Sequence, residues 1–407
     1  MDPGNALGAR ATRVVTATAT GLLAATIVLA AAAGRAQCPG HGDPEVGTID
    51  GSPLDDLPAH ISLVVPYGQR PDWSPDGRRL LFLDGSVSGD VWTVDVATGE
   101  TRNLTGGFSN HQGFGRAHFL ASGDILLCGT TSGPTPTPDR PEAGRFNGVL
   151  WVLRAPFDEP PEPLGMPCWE GVAVSKHSNE IAWNRSQIDF TAEDRFSEVA
   201  LGISEIWTGR LEPGRAGDPK GPVRWKEPWH RTVPWKKRGL RVDLVDVNKA
   251  IDRYAIPSIV SGIAVLEVQD FRPRGREILF TNYVDLAAGA EIMGLDRDTG
   301  ELRNYSQSPC YEEAEGVFPD GRSILVERDL TSTLMPDVID IWRLSLDGLA
   351  RYERLTYFNR HQGFYASNPV AHPGGRKFAF QLSIRGGPEG DGDGILVFDL
   401  DRFTAGP

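Results

Sequence analysis

Short apolar runs punctuate this chain, each preceded by a cluster of turn-forming residues. Leu80-Leu81-Phe82-Leu83, Ile278-Leu279-Phe280, Ile324-Leu325-Val326 and Phe378-Ala379-Phe380 follow Ser74-Pro75-Asp76-Gly77, Arg272-Pro273-Arg274-Gly275, Phe318-Pro319-Asp320-Gly321 and His372-Pro373-Gly374-Gly375. Runs this short, rich in branched and aromatic residues, predict strands. In the turns, proline presets φ, aspartate caps, and glycine takes the position with positive φ. An alternating segment follows, as in Asp90-Val91-Trp92-Thr93-Val94-Asp95, whose period of two predicts another strand. Thr98-Gly99-Glu100 then turns the chain into Thr101-Arg102-Asn103-Leu104-Thr105, and Asp298-Thr299-Gly300-Glu301 and Leu346-Asp347-Gly348 repeat that turn. A short helix is expected over 245–255.

This order recurs at a spacing of roughly 40–50 residues, the mark of an architecture built from repeated sheets. Units begin near Gln69, Arg116, Glu170, Glu267, Glu313 and Ser367. One four-stranded meander cannot cover both its faces, but several packed about one axis can. The expected fold is therefore all-β, a six-bladed β-propeller of four-stranded antiparallel blades. The third interval is longer than the rest. An insertion at about 210–264 between blades three and four explains it better than a decayed seventh blade, because that stretch holds no second turn of the Ser-Pro-Asp-Gly type. The last blade lacks a fourth strand of its own. The strand at 60–66 is expected to fill that place and close the ring, removing an exposed edge.

Blades with a Ser-Pro-Asp-Gly-Arg turn followed by an apolar strand, as in Ser74-Pro75-Asp76-Gly77-Arg78-Arg79-Leu80-Leu81-Phe82-Leu83, make the chain resemble the TolB-like propellers. The resemblance covers about 60–403 and places the chain in an exported subgroup of unassigned role. TolB proteins carry an additional N-terminal domain. Only a short extension, 37–59, stands before the first strand here, so the resemblance does not imply a role in TolB envelope complexes.

Arg10 and Arg13 precede an uncharged stretch at 14–33, and Gly34-Arg35-Ala36 offers small residues for cleavage, so 1–36 reads as a secretory signal. The propeller is then 60–407, in a periplasmic or extracellular protein expected to be monomeric. An uncleaved stretch would be a membrane anchor instead. The formal charge is −13 from 41 Lys and Arg against 54 Asp and Glu, which argues against nucleic acid as a partner. Export permits disulfides, and Cys38, Cys128, Cys168 and Cys310 allow three pairings. Cys128 reads as a plain hydrophobe in a buried strand.

Glu170, Glu267 and Glu313 occupy equivalent places where inner strands enter the channel, with Glu312 and Glu315 beside them. Asn110-His111-Gln112-Gly113-Phe114 and Arg360-His361-Gln362-Gly363-Phe364 repeat one motif in matching loops. Carboxylates, imidazoles and carboxamides at one mouth suit a divalent cation or the hydroxyls of a sugar. The metal-ligand set would be His111, His361, Glu170, Glu267 and Glu313, with Gln112, Gln362 and Glu315 completing a ligand site. The other reading is that these groups only pin the connections between blades. His118, His177 and His372 are expected to be structural. Loops at 130–146, 185–203 and 383–393 gather on the same face, while the face of tight turns reads as structural.

Residues 210–241 hold ten Lys or Arg against three acids, interleaved with Trp225, Trp229 and Trp235 and ending in Lys236, Lys237 and Arg238. Such a segment suits an anionic partner, stacked sugars, or the propeller's own acidic surface. No Gly-x-Ser-x-Gly elbow, His-Glu-x-x-His or phosphate-cradling glycine loop occurs, which excludes a serine hydrolase. Two functions remain. One is an exported scaffold binding a protein, peptide or glycan at the loop-rich face. The other is a metal-dependent carbohydrate-active enzyme, similar in donor types to the oligogalacturonate lyases, propellers whose metal is held by histidines and a glutamine.

Overall fold

The computed structural model describes residues 38, 45–85, 89–130, 148–186, 204–211, 223–224, 232–233, 240–245, 265–285, 289–331, 338–386 and 392–404. The segment read from sequence as a secretory signal, most of the three long loops and all six named residues of the basic-aromatic segment fall outside this set. So does most of the helix expected at 245–255. Among the described residues no helix is long and apolar enough to cross a membrane.

The turns and alternation produce six four-stranded antiparallel blades. Blade one is Gln69–Trp73, Arg79–Leu83, Val91–Asp95 and Thr101–Asn103. Blade four begins at Val265–Phe271 and blade five at Tyr311–Val317. In blade six, Phe364–Ala371, Lys377–Ile384 and Ile395–Asp399 are joined by Ile61–Val65 as the outer strand, so the N-terminal strand closes the ring as expected. Blades two and three share one strand, Glu162–Val174. Its first part pairs outward with Gly148–Leu153, and its second part is the inner strand of blade three, paired with Glu180–Ser186. Leu240–Val245 pairs with Ser204–Leu211 as the outer strand of blade three. Part of the stretch read as an insertion between blades is thus blade structure, and 212–239 interrupts blade three before its last strand.

Period-two alternation sends neighbouring side chains to opposite faces, hence to opposite neighbouring blades. Leu80 and Phe82 pack with Ala379, Ile395 and Val397 of blade six, whereas Leu81 and Leu83 pack with Phe114, Ile125 and Leu127 of blade two. The other four interfaces have their own apolar clusters. The core is therefore a ring of inter-blade layers around a polar shaft. Gly77 illustrates the turn chemistry: its φ of +68° and the proximity of the His372 ring leave no place for a Cβ.

The four described cysteines form two disulfides, Cys38–Cys310 and Cys128–Cys168. The second corrects the reading of Cys128 as a plain hydrophobe. It links the second and outer strands of blade two beside Gly148, where a Cβ would lie 2.9 Å from the Cys128 sulfur.

Candidate functional site at the channel mouth

A repeated contact between blades frames the site. In each inner strand the register slips at a bulge, and in four blades an N–H there reaches back to the second strand of the preceding blade. Val268 N–H points at Asn184 Oδ1 at 3.5 Å, Ala314 N–H donates to Thr281 Oγ1 at 2.9 Å, and Arg70 N–H donates to Gln381 Oε1 at 2.7 Å. In the fourth case Asn368 N–H donates to Glu327 Oε1. Asn184, Thr281, Glu327 and Gln381 occupy one equivalent position of the second strand. Three neutral side chains perform this contact, so the negative charge of Glu327 is surplus to it.

That charge faces company. Glu313 and Glu315 are two residues apart and share a face, and Glu313 lies opposite Glu327 in the ladder. One carboxylate oxygen from each of Glu313, Glu315 and Glu327 lies within 4.8 Å of the others. Tyr311 donates to Glu313, which also accepts from Gln269 Nε2 at 3.3 Å. Glu267 sits close by and is buried. Its Oε1 takes Arg116 Nη2 at 2.6 Å and its Oε2 takes the Tyr283 hydroxyl at 3.2 Å. Arg116 also donates to Asn368 Oδ1 at 3.3 Å, so one guanidinium ties blades two, four and six across the axis. The Tyr283 and Tyr311 rings stand 6.3 Å apart.

Burial, reinforced by the mutual repulsion of the acids, makes ionisation costly here. Glu327 is pushed up to about 7, and Glu315 is held well above the usual carboxylate range by burial and by Glu327 and Glu313. The phenols of Tyr283 and Tyr311 are raised by burial and by Glu313. Deeper in the shaft the charges are mixed. Asp72 accepts Phe119 N–H at 2.7 Å and both oxygens face Lys176 Nζ, at 2.7 and 2.8 Å. Burial pushes the Asp72 carboxyl up, but Lys176 and His118 outweigh it and hold it below its ordinary value. Asp270, which has backbone donors from Phe271 and Val317, is raised by burial to about 7. The cavity between these groups is about 50 Å³, room for an ion or a few waters and not for a sugar ring.

Of the residues predicted from sequence, Glu313 and Glu315 converge at the mouth, with Glu267 close by. Glu170 lies in the inner strand of blade three, with its side chain outside the described set. Glu312 faces the other way, buried between Arg328 Nε and the Tyr352 hydroxyl, each at 2.7 Å. The two repeated histidines do not join the acids. His111 accepts Gly113 N–H at Nδ1 and donates from Nε2 to Thr105 O, and its ring lies against Phe114. His361 donates from Nδ1 to Gly51 O, and Gln362 N–H binds Ile49 O. Both loops thus pin connections, His361 holding the extension before blade one. Gln112 and Gln362 have exposed side chains. His372 bridges Gly374 N–H and Gly77 O against Trp73. Glu327, Tyr283 and Tyr311 went unnoticed in the sequence. A legible signal existed for Glu327: Asn184, Thr281, Glu327 and Gln381 are polar residues inside apolar strands at one repeat position.

No protein-family model matches the chain, and no curated protein matches it. Solved structures similar in fold include a gluconolactonase from Xanthomonas campestris at 12% identity, covering 83% of this chain and 88% of that one with a TM-score of 0.47. An oligogalacturonate lyase from Vibrio parahaemolyticus is 10% identical over 83% of this chain and 93% of its own, with a TM-score of 0.43. TolB from Acinetobacter baumannii is 11% identical, covering 81% of this chain and 53% of its own, with a TM-score of 0.31. The likeness to all three is one of fold.

Proposed function

We propose that this chain is an exported binding propeller that holds a glycan at its channel mouth through a divalent cation seated on Glu313, Glu315 and Glu327. The observation carrying this reading is the convergence of three carboxylates, one of them at a position where its siblings are neutral. An all-oxygen donor set suits calcium, magnesium or manganese better than the softer metals. Three acids leave coordination positions open toward the mouth, where sugar hydroxyls or a uronate would complete the shell. The cation would also offset the burial and the mutual repulsion that raise the Glu315 and Glu327 carboxyls. Elemental analysis of protein purified without chelator, followed by a glycan and peptide screen with and without EDTA, tests this. A stoichiometric ion and chelator-sensitive glycan binding support it. Protein without an ion that gains no thermal stability from added calcium or manganese would sink it.

A second reading, a metal-dependent carbohydrate lyase, is favoured by one observation. Glu327 is buried beside the hydrogen-bonded Tyr311 and Glu313 pair, so carboxylates and a phenol stand together at the mouth as candidates for base and acid. Appearance of unsaturated uronate absorbance on incubation with polygalacturonate would select it; its absence with the ion bound would leave the binding role.

A further inference from the structure

The turn-rich face, which the sequence marks as structural, carries a larger hollow than the shaft. A groove of about 470 Å³ lies against blade four, lined by Arg272, Pro273, Arg274, Arg276, Arg303 and the acids Glu277 and Asp296. That volume falls within the range of small-molecule sites. Four guanidiniums meet on it, three of them paired with Glu277, Asp296, Asp298 or Glu301, and Arg274 carries a charge that none of these acids offsets.

The arginines have different duties. Arg272 is an anchor, donating to Gly321 O at 2.7 Å, to Glu277 at 2.9 Å and to the Tyr305 hydroxyl at 3.2 Å. Arg276 is 63% exposed beside Asp296 and Asp298, and Arg303, 50% exposed, leans on Glu301. Each keeps guanidinium donors turned to solvent. Arg274 is exposed and makes no hydrogen bond or ion pair among the described residues.

Its position is the telling feature. The equivalent residue in blade one is Asp76, which accepts from Ser74 Oγ and Arg78 N–H and so caps the turn. In blade five it is Asp320, which accepts Arg322 N–H. Arginine forfeits that cap, and Arg274 also sits at φ +79°, a conformation that non-glycine residues rarely adopt. Arg272 likewise stands where blades one and three have serine. Blade four thus sets an uncapped arginine at positive φ on the groove, held beside the anchor Arg272, and such local strain concentrates at functional sites.

We infer that this groove binds a tetrahedral oxyanion, a phosphate or sulfate group, free or esterified to a sugar. A carboxylate offers two oxygens. A tetrahedral group offers three or four, which several forked donors approaching from different strands can share. The site lies on the face opposite the mouth and is independent of the cation proposed there.

The test is calorimetric titration of the full chain at low ionic strength with inorganic phosphate, sulfate, glucose 6-phosphate and galactose 6-sulfate, with chloride at matched ionic strength as control. The informative variant is Arg274→Asp, because it introduces the capping residue that blades one and five carry at this turn and is expected to fold at least as well as the parent. Phosphate or sulfate binding above the chloride control, weakened at least tenfold in R274D with no loss of melting temperature, supports the proposal. Tighter binding of the sugar esters than of the inorganic ions identifies an ester as ligand, and equal binding identifies a free anion. A parent response no greater than chloride, or R274D affinity equal to the parent's, overturns it.

Discussion

Replacing Glu327 with glutamine isolates the surplus charge at the mouth. The contact to Asn368 N–H survives, because Gln381 makes the same contact to Arg70 one blade further on. Only the titratable group is lost. In the folded chain Glu327 is raised from 4.5 to about 7 by burial, with Glu267 adding to the rise and Asn368 N–H, Arg70 and Arg116 opposing it. Between those values the folded state holds a proton that the unfolded state has released. Stability therefore falls as pH rises through this window, and the loss is complete above about 7. At about 1.4 kcal/mol per unit, the penalty at alkaline pH is about 3 kcal/mol. Glu327→Gln escapes it. Urea unfolding in EDTA at several values between pH 4 and pH 8 is the assay. The two proteins should match at the acid end, and the variant should be more stable by about 3 kcal/mol at the alkaline end. Calcium should rescue the parent at alkaline pH and leave the variant unmoved. A variant as stable as the parent at every pH, or less stable at alkaline pH, would refute the reasoning.

Arg116→Met removes the guanidinium that ties three blades and takes its charge from beside the buried Glu267; a loss of about 3–5 kcal/mol in urea unfolding is expected. Asp72→Asn should cost a similar amount at neutral pH, since it leaves Lys176 without its carboxylate. Because the Asp72 carboxyl is held below 3.8, its contribution is present above that value and lost as pH falls below the folded-state value, so parent and variant stabilities should converge only in strong acid. Replacing Cys128 and Cys168 together by alanine opens a loop of sequence separation 40 and should lower stability by about 2–4 kcal/mol, read from the same unfolding curves.

What the chain declares by itself is local and periodic. Turn residues at Ser74-Pro75-Asp76-Gly77 and its relatives, alternation in the strands between them, and an unpaired strand at the start suffice to read six blades and a closed ring. Such features depend only on neighbouring residues and on one period repeated many times. Leu240–Val245 escaped this reading because a long interruption separates it from its partner strand. The site was half legible. Glu267 and Glu313 stood out by repeat position, whereas Glu312, one residue from Glu313, is sent by the alternation to the other face, where it meets its own blade's Arg328. The paired histidines looked like ligands because residue type was visible and hydrogen-bond partners were not. What only the tertiary structure decides is the company each charge keeps. Arg116 meets Glu267 across 151 residues of sequence and Asn368 across 252. Those meetings come from ladder register and the radial packing of blades, and no local pattern encodes them.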